Sequence, residues 1–156
     1  MKHALALLSP VVLSLLGACA ATDPQSKAPE SGAHEASANL PLEGTEWRLV
    51  DVGGKPAIPG VGSRTASIAF GPDTGSARGN SGLNSFFGPY AVDGSRLRIE
   101  NLAMTRMAGS PELMAQESAF VAALHAARSW RVKGDTLELL DEKGAILATL
   151  RATSAG

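Results

Sequence analysis

Cysteine is almost missing from this 156-residue chain: Cys19 is the only one. Disulfides therefore cannot staple whatever folds, and the core must hold by packing alone. Aromatic residues are also few, at 4%. Histidine occurs three times, at His3, His34 and His125. His3 lies in the apolar leader, His34 in a polar stretch, and His125 off the apolar stripe of its helix, where a solvated imidazole is expected. Basic residues form no block, the arginines stand singly, and the formal charge is −1. Nucleic acid is therefore not an expected partner. The chain has no Gly-x-Ser-x-Gly elbow, no phosphate-cradling Gly-rich Lys motif and no zinc-ligand spacing. We accordingly expect no catalytic residue, no metal and no cofactor. The one long apolar run, Ala4 to Leu16, is too short to span a bilayer.

That run begins after Lys2 and ends in Leu15-Leu16-Gly17-Ala18-Cys19. A basic start, an apolar stretch and small residues before a cut site read as a secretory signal, here residues 1–18. Leu15 to Cys19 reads as a lipobox, in which Cys19 would carry a diacylglyceryl thioether. An ordinary signal peptide with an incidental cysteine is the alternative. With no aspartate after Cys19, lipidation would favour the outer membrane, facing the periplasm, with the lipid as the membrane contact. From Ala20 to Asn39 no bulky apolar side chain occurs. Such a stretch cannot bury enough surface to offset its ordering entropy, so residues 19–39 read as the lipidated cysteine and a flexible tether. Residues 40–152 are of single-domain size, and 153–156 read as a disordered tail.

Within the domain the pattern has period two, broken by Gly, Asp, Pro and Ser. Trp47 and Leu49 alternate with Arg48; Ile68 and Phe70 alternate with Ser67 and Ala69. Tyr90 and Val92 lead to the hairpin signal Asp93-Gly94, followed by Leu97 and Ile99. Trp130 and Val132, Leu137 and Leu139, and Ile146 to Leu150 repeat the theme. One segment differs. Ser110 is a good N-cap, Pro111 suits the first turn and Glu112 favours the positive helix end, predicting a helix to about Ala127. Leu113, Phe120 and Leu124 share a stripe on it, with Glu117 in the middle. The expected fold class is mainly β (α+β): a small antiparallel barrel or strongly curved sheet with one packed helix.

Three segments resemble the META domain family, which includes heat-shock lipoproteins of the HslJ type. Leu42-Glu43-Gly44-Thr45-Glu46-Trp47-Arg48-Leu49 is similar to the family's opening Gly-Thr-x-Trp strand. Gly79-Asn80-Ser81-Gly82-Leu83-Asn84-Ser85-Phe86-Phe87-Gly88-Pro89-Tyr90 is similar to its Gly-Cys-Asn-x-aromatic-x-Gly-x-Tyr signature. Met104-Thr105-Arg106-Met107-Ala108-Gly109, then Gln116-Glu117 with Phe120, resembles its Thr-x-Met-Ala-Cys segment and Gln-Glu pair. Relatives carry cysteine where this chain has Leu83 and Gly109. If those cysteines pair in relatives, the joint loss is expected, and Leu83 should pack against Gly109 where sulfur would sit. The resemblance implies an envelope setting, with links to stress tolerance, secretion and motility, and no established catalytic mechanism.

A carboxylate on a core-facing stripe needs a partner. Glu117 is expected to accept from Arg106 or from backbone N–H groups and so fix the helix on the sheet; ligand binding is the alternative. Asn80 and Asn84 among glycines suggest a tight bend, or else a recognition loop with Phe86, Phe87 and Tyr90 as aromatic anchors. Adjacent phenylalanines in a strand must point oppositely, so one is core and one outward. The resulting expectation is a lipid-anchored envelope protein, non-catalytic, that binds another envelope protein or a surface polymer. The alternatives are a periplasmic hydrolase inhibitor presenting the loop Ala57 to Thr65, and a carrier of a small apolar ligand inside the barrel.

Overall fold

The computed structural model describes residues 38–153. The expected signal peptide, Cys19 and all but the last two residues of the tether lie outside the described residues, as do residues 154–156.

Ten strands form one antiparallel sheet: β1 (Glu46–Val52), β2 (Lys55–Pro56), β3 (Ser67–Gly71), β4 (Ser76–Asn80), β5 (Ser85–Asp93), β6 (Arg96–Ile99), β7 (Ala103–Met104), β8 (Ser129–Lys133), β9 (Thr136–Leu140) and β10 (Ile146–Ala152). Eight of them close a barrel in the order β1-β3-β4-β5-β6-β8-β9-β10, with β10 pairing back onto β1. β2 extends from β1, and β7 pairs β5 beyond the end of β6. Of the two expected forms, a small barrel or a strongly curved sheet with one packed helix, the fold is the closed barrel. No helix among the described residues is long and apolar enough to cross a membrane.

Alternation decides what fills the barrel. On β1, Trp47 and Leu49 point inward; a register shift between Leu49 and Asp51 then restores the inward face at Val52. Trp47 is fully buried and donates its indole N–H to the Leu42 carbonyl at 2.9 Å. Ile68, Phe70, Leu97, Ile99, Leu137, Leu139 and Leu150 complete a core in which aliphatic side chains surround a few large aromatic ones.

The helix α1 (Pro111–Ala126) starts where the sequence places it: Ser110 Oγ accepts from the Leu113 N–H at 3.3 Å, and Pro111 opens the first turn. Its buried face is Gln116, Phe120, Ala123 and Leu124, packed against β1, β6, β9 and β10. Phe120 meets Phe86 edge-on, with centroids 6.0 Å apart. Leu113 is only half-buried, so the apolar stripe is rotated from the one read in the sequence, and Gln116 takes the core-facing place.

Asn39 accepts from the Gly134 N–H at 2.8 Å, and Thr153 donates its N–H to the Glu46 carbonyl at 2.8 Å. Both join the sheet through bonds that composition does not reveal.

Candidate functional site

The β4–β5 connection, Ser81 to Asn84, is a buried polar turn. Gly82 takes φ +89°, a left-handed conformation that glycine adopts without strain. Ser81 Oγ sits centrally, accepting from the Asn84 N–H at 2.9 Å and donating to the Glu117 carboxylate. Ser81 is fully buried and Asn84 is 1% exposed.

Asn84 is the hub. Its Nδ2 donates to Glu117 (3.0 and 3.1 Å) and to the Met107 carbonyl (3.1 Å). Its Oδ1 accepts from the Met107 N–H (2.7 Å) and the Thr105 hydroxyl (2.9 Å). One amide therefore ties the turn to the segment after β7 and, through Glu117, to α1. Its buried polar atoms are satisfied within the protein, which is what burial demands.

Arg106 does not take the role expected of it. It is exposed, and Glu117 accepts from Ser81 and Asn84 instead of from Arg106 or backbone N–H groups. The groups of this segment that turn toward β5 and Asn84 are the Thr105 N–H and hydroxyl and the Met107 N–H, and the Arg106 side chain stands exposed between them. Phe86 is 2% exposed and in the core, whereas Phe87 is 66% exposed. Tyr90 is half-buried: its hydroxyl donates to Glu43 at 2.5 Å and lies 3.0 Å from the Gly71 carbonyl. Burial, with Glu43 beside it, pushes the phenol up to about 12. Leu83 lies against Gly109, where an added Cβ would fall 2.8 Å from its Cδ1.

Sequence reasoning placed weight on Glu117 and passed over its neighbour Gln116. The Gln116 amide clamps Ile58 at both ends, accepting from its N–H at 2.6 Å and donating to its carbonyl at 3.2 Å. A second tie, Val61 N–H to the Gly82 carbonyl at 2.9 Å, docks the 57–65 loop onto the polar turn. A buried glutamine on a helix is the signal that could have found the clamp, but its partner is 58 residues away.

Beside the hub, a surface groove of about 470 Å³ runs between β7 and α1. Asn84 and Glu117 line its base, and Met104, Met107, Met114 and Arg106 line it too. Met107 and Met114 are 54% and 47% exposed, so apolar side chains here lack a partner.

Two solved structures share the fold. An NMR structure of a protein from Burkholderia xenovorans superposes with a TM-score of 0.58 at 24% identity, covering 82% of this chain and 98% of that one. A second NMR structure gives 0.55 at 24% identity, covering 70% and 90%. No protein of curated description matches the chain. The META domain family model matches residues 40–154, spanning the whole barrel and its helix. The chain belongs to the META domain family.

Proposed function

We propose that this META-domain chain is a non-catalytic binding protein of the cell envelope, held there by a lipid on Cys19 and acting in envelope maintenance or stress tolerance. The observation that carries the reading is a contrast within one site. The polar groups of Ser81, Asn84 and Glu117 are spent on one another, while the methionines beside them stand exposed in a groove. Committed hydrogen bonds build a scaffold; an uncommitted apolar surface supports binding. The Leu15 to Cys19 lipobox supports the anchor.

Crosslinking in cells, followed by pull-down of the intact protein and of Cys19→Ser, tests both halves. One dominant envelope partner, lost with the anchor, is the expected result; no specific partner for either form would overturn it. Labelled fatty acid should enter the wild-type chain and not Cys19→Ser.

The inhibitor reading has one observation in its favour. Val61, 57% exposed, tops a loop fixed by Gln116 on one side and Gly82 on the other. If a hydrolase is the crosslinked partner, Val61→Asp should abolish inhibition while leaving the fold intact. The carrier reading gains no support, because Trp47, Phe70, Phe86 and Phe120 fill the barrel interior.

A further inference from the structure

The barrel is closed unevenly. β6 meets β8 at a single register pair, Arg96 with Ser129, backed by the Leu97 N–H to the Arg128 carbonyl at 3.0 Å. Beyond that point the chain continues through β7, which pairs β5 and has no strand on its outer side among the described residues. Facing it across the gap is α1. Two grooves occupy this gap, of about 400 and 470 Å³, and both are lined by Leu102. Together they form a trough along the β6–β7 edge, with α1 as its far wall.

The backbone of this edge is set up to pair. Thr105 donates its N–H to the Ser85 carbonyl at 3.0 Å, and Met107 donates to Asn84 Oδ1 at 2.7 Å. Alternation then turns the peptide groups of Met104 and Arg106 away from β5 and toward the trough. A strand edge with free N–H and C=O groups is a template for another strand. This edge is short, which admits a few residues of peptide but not a second sheet.

The side chains state what would fit. Met104, Met107 and Met114 are flexible thioethers that adapt to apolar side chains of varied shape. Charge at the two ends is positive. Arg106 stands exposed at one end, and Arg128 at the other is held only by the carbonyls of His125 and Ala127. The trough's carboxylates are already engaged, Glu100 with Arg98 at 3.2 Å and Glu117 with Ser81 and Asn84. Hydrogen bonds from the neutral Ser81 and Asn84 leave Glu117 charged. Against Glu100 and Glu117 the three arginines Arg98, Arg106 and Arg128 therefore leave one positive charge in excess, carried at the ends, where acidic residues flanking an apolar centre fit.

We propose that the trough is a peptide-binding cleft, in which an extended acidic-apolar segment of another protein adds as a strand to the outer edge of β7 against α1. This rests on the reading that the protein acts by binding, and it names the partner as an unfolded or terminal segment, not a polymer or lipid. Recognition would follow strand addition: backbone hydrogen bonds supply affinity and alternate side chains supply selectivity.

The test pans a displayed library of random ten-residue peptides against the whole chain carrying Cys19→Ser. Enriched peptides are then resynthesised with N-methyl groups on the odd or the even amides. Enrichment of alternating apolar sequences with acidic flanks is expected. Binding should fall more than ten-fold for one methylation parity and stay within two-fold for the other, because only alternate amides face β7. Arg106→Glu should weaken these peptides more than ten-fold, and Arg48→Glu, exposed on β1 and lining neither groove, should leave them within three-fold. Absence of enrichment, equal loss for both parities, or unchanged binding to Arg106→Glu would overturn the cleft. Enrichment of sequences matching residues 20–37 would also overturn it, by making the chain its own occupant. A crosslinked cellular partner retained by Arg106→Glu would sink the cleft while leaving the binding reading intact.

Discussion

Asn84 holds together three pieces of chain distant in sequence, and no hydrophobic contact can substitute for it. Removing its side chain, itself 1% exposed, leaves the Met107 N–H and the Thr105 hydroxyl without this acceptor and Glu117 with Ser81 as its one remaining donor. Asn84→Ala should therefore cost about 3 kcal/mol, read as a lowered urea midpoint. Glu117→Ala should cost about 2 kcal/mol through the same cluster. Arg106→Ala should change stability by less than about 0.5 kcal/mol, because the side chain is exposed and its charge serves no internal bond. A large loss at Arg106 would restore the ion pair that the sequence suggests. Asparagine among glycines was legible as a turn; that its amide reaches 23 residues along the chain was not.

Between elements, close backbone approaches govern. Gly60 lies so near the polar turn that a Cβ would sit 2.0 Å from the Gly82 carbonyl oxygen. At Gly79 a Cβ would sit 2.1 Å from the Ser67 carbonyl oxygen and 2.6 Å from Phe86. Neither neighbour is the free end of a flexible side chain alone, so the backbone must shift. Gly60→Ala should undock the 57–65 loop and raise amide exchange at Val61, while Gly79→Ala should lower thermal stability of the whole barrel. Another pair of elements can be reconnected. With Leu83 against Gly109, Leu83→Cys with Gly109→Cys should oxidise to a disulfide and add about 3.5 kcal/mol by closing a loop of about 25 residues. Failure of the two thiols to pair under mild oxidation would mean that the backbones stand too far apart. The helix start was legible because capping is local chemistry; its rotation was not, because Gln116 faces inward for a bond to Ile58.

For the molecule as a whole, two groups bound the stability plateau. Glu138 sits on the barrel wall, where burial opposes its charge but Arg131 and Lys133 outweigh burial and hold its carboxyl below 4.5. A lowered folded-state value contributes stability above the unfolded value and loses it as pH falls through the folded one. Tyr90 is the opposite case. Its phenol is raised from 10.0 to about 12, so its contribution is complete below pH 10 and lost as pH rises toward 12. Urea midpoints measured against pH should be level between about 5 and 10 and fall on both sides. Glu138→Gln should reduce the acid slope and Tyr90→Phe the alkaline one. Unchanged slopes in these variants would assign the falls to other groups.

By itself the sequence determined the barrel class, the helix and its cap, the inward and outward phenylalanines, and the family. These follow from period-two alternation, turn residues and capping, whose physics acts over a few neighbouring positions. The Leu15 to Cys19 run, on which the proposed anchor rests, is likewise a matter of linear order. Only the tertiary structure decided that Glu117 answers to Ser81 and Asn84, that Gln116 clamps Ile58, and that the barrel parts between β6 and β8. Each joins residues far apart along the chain, and hydrogen-bond partners across such separations are fixed by how the closed sheet curves, which no local pattern encodes.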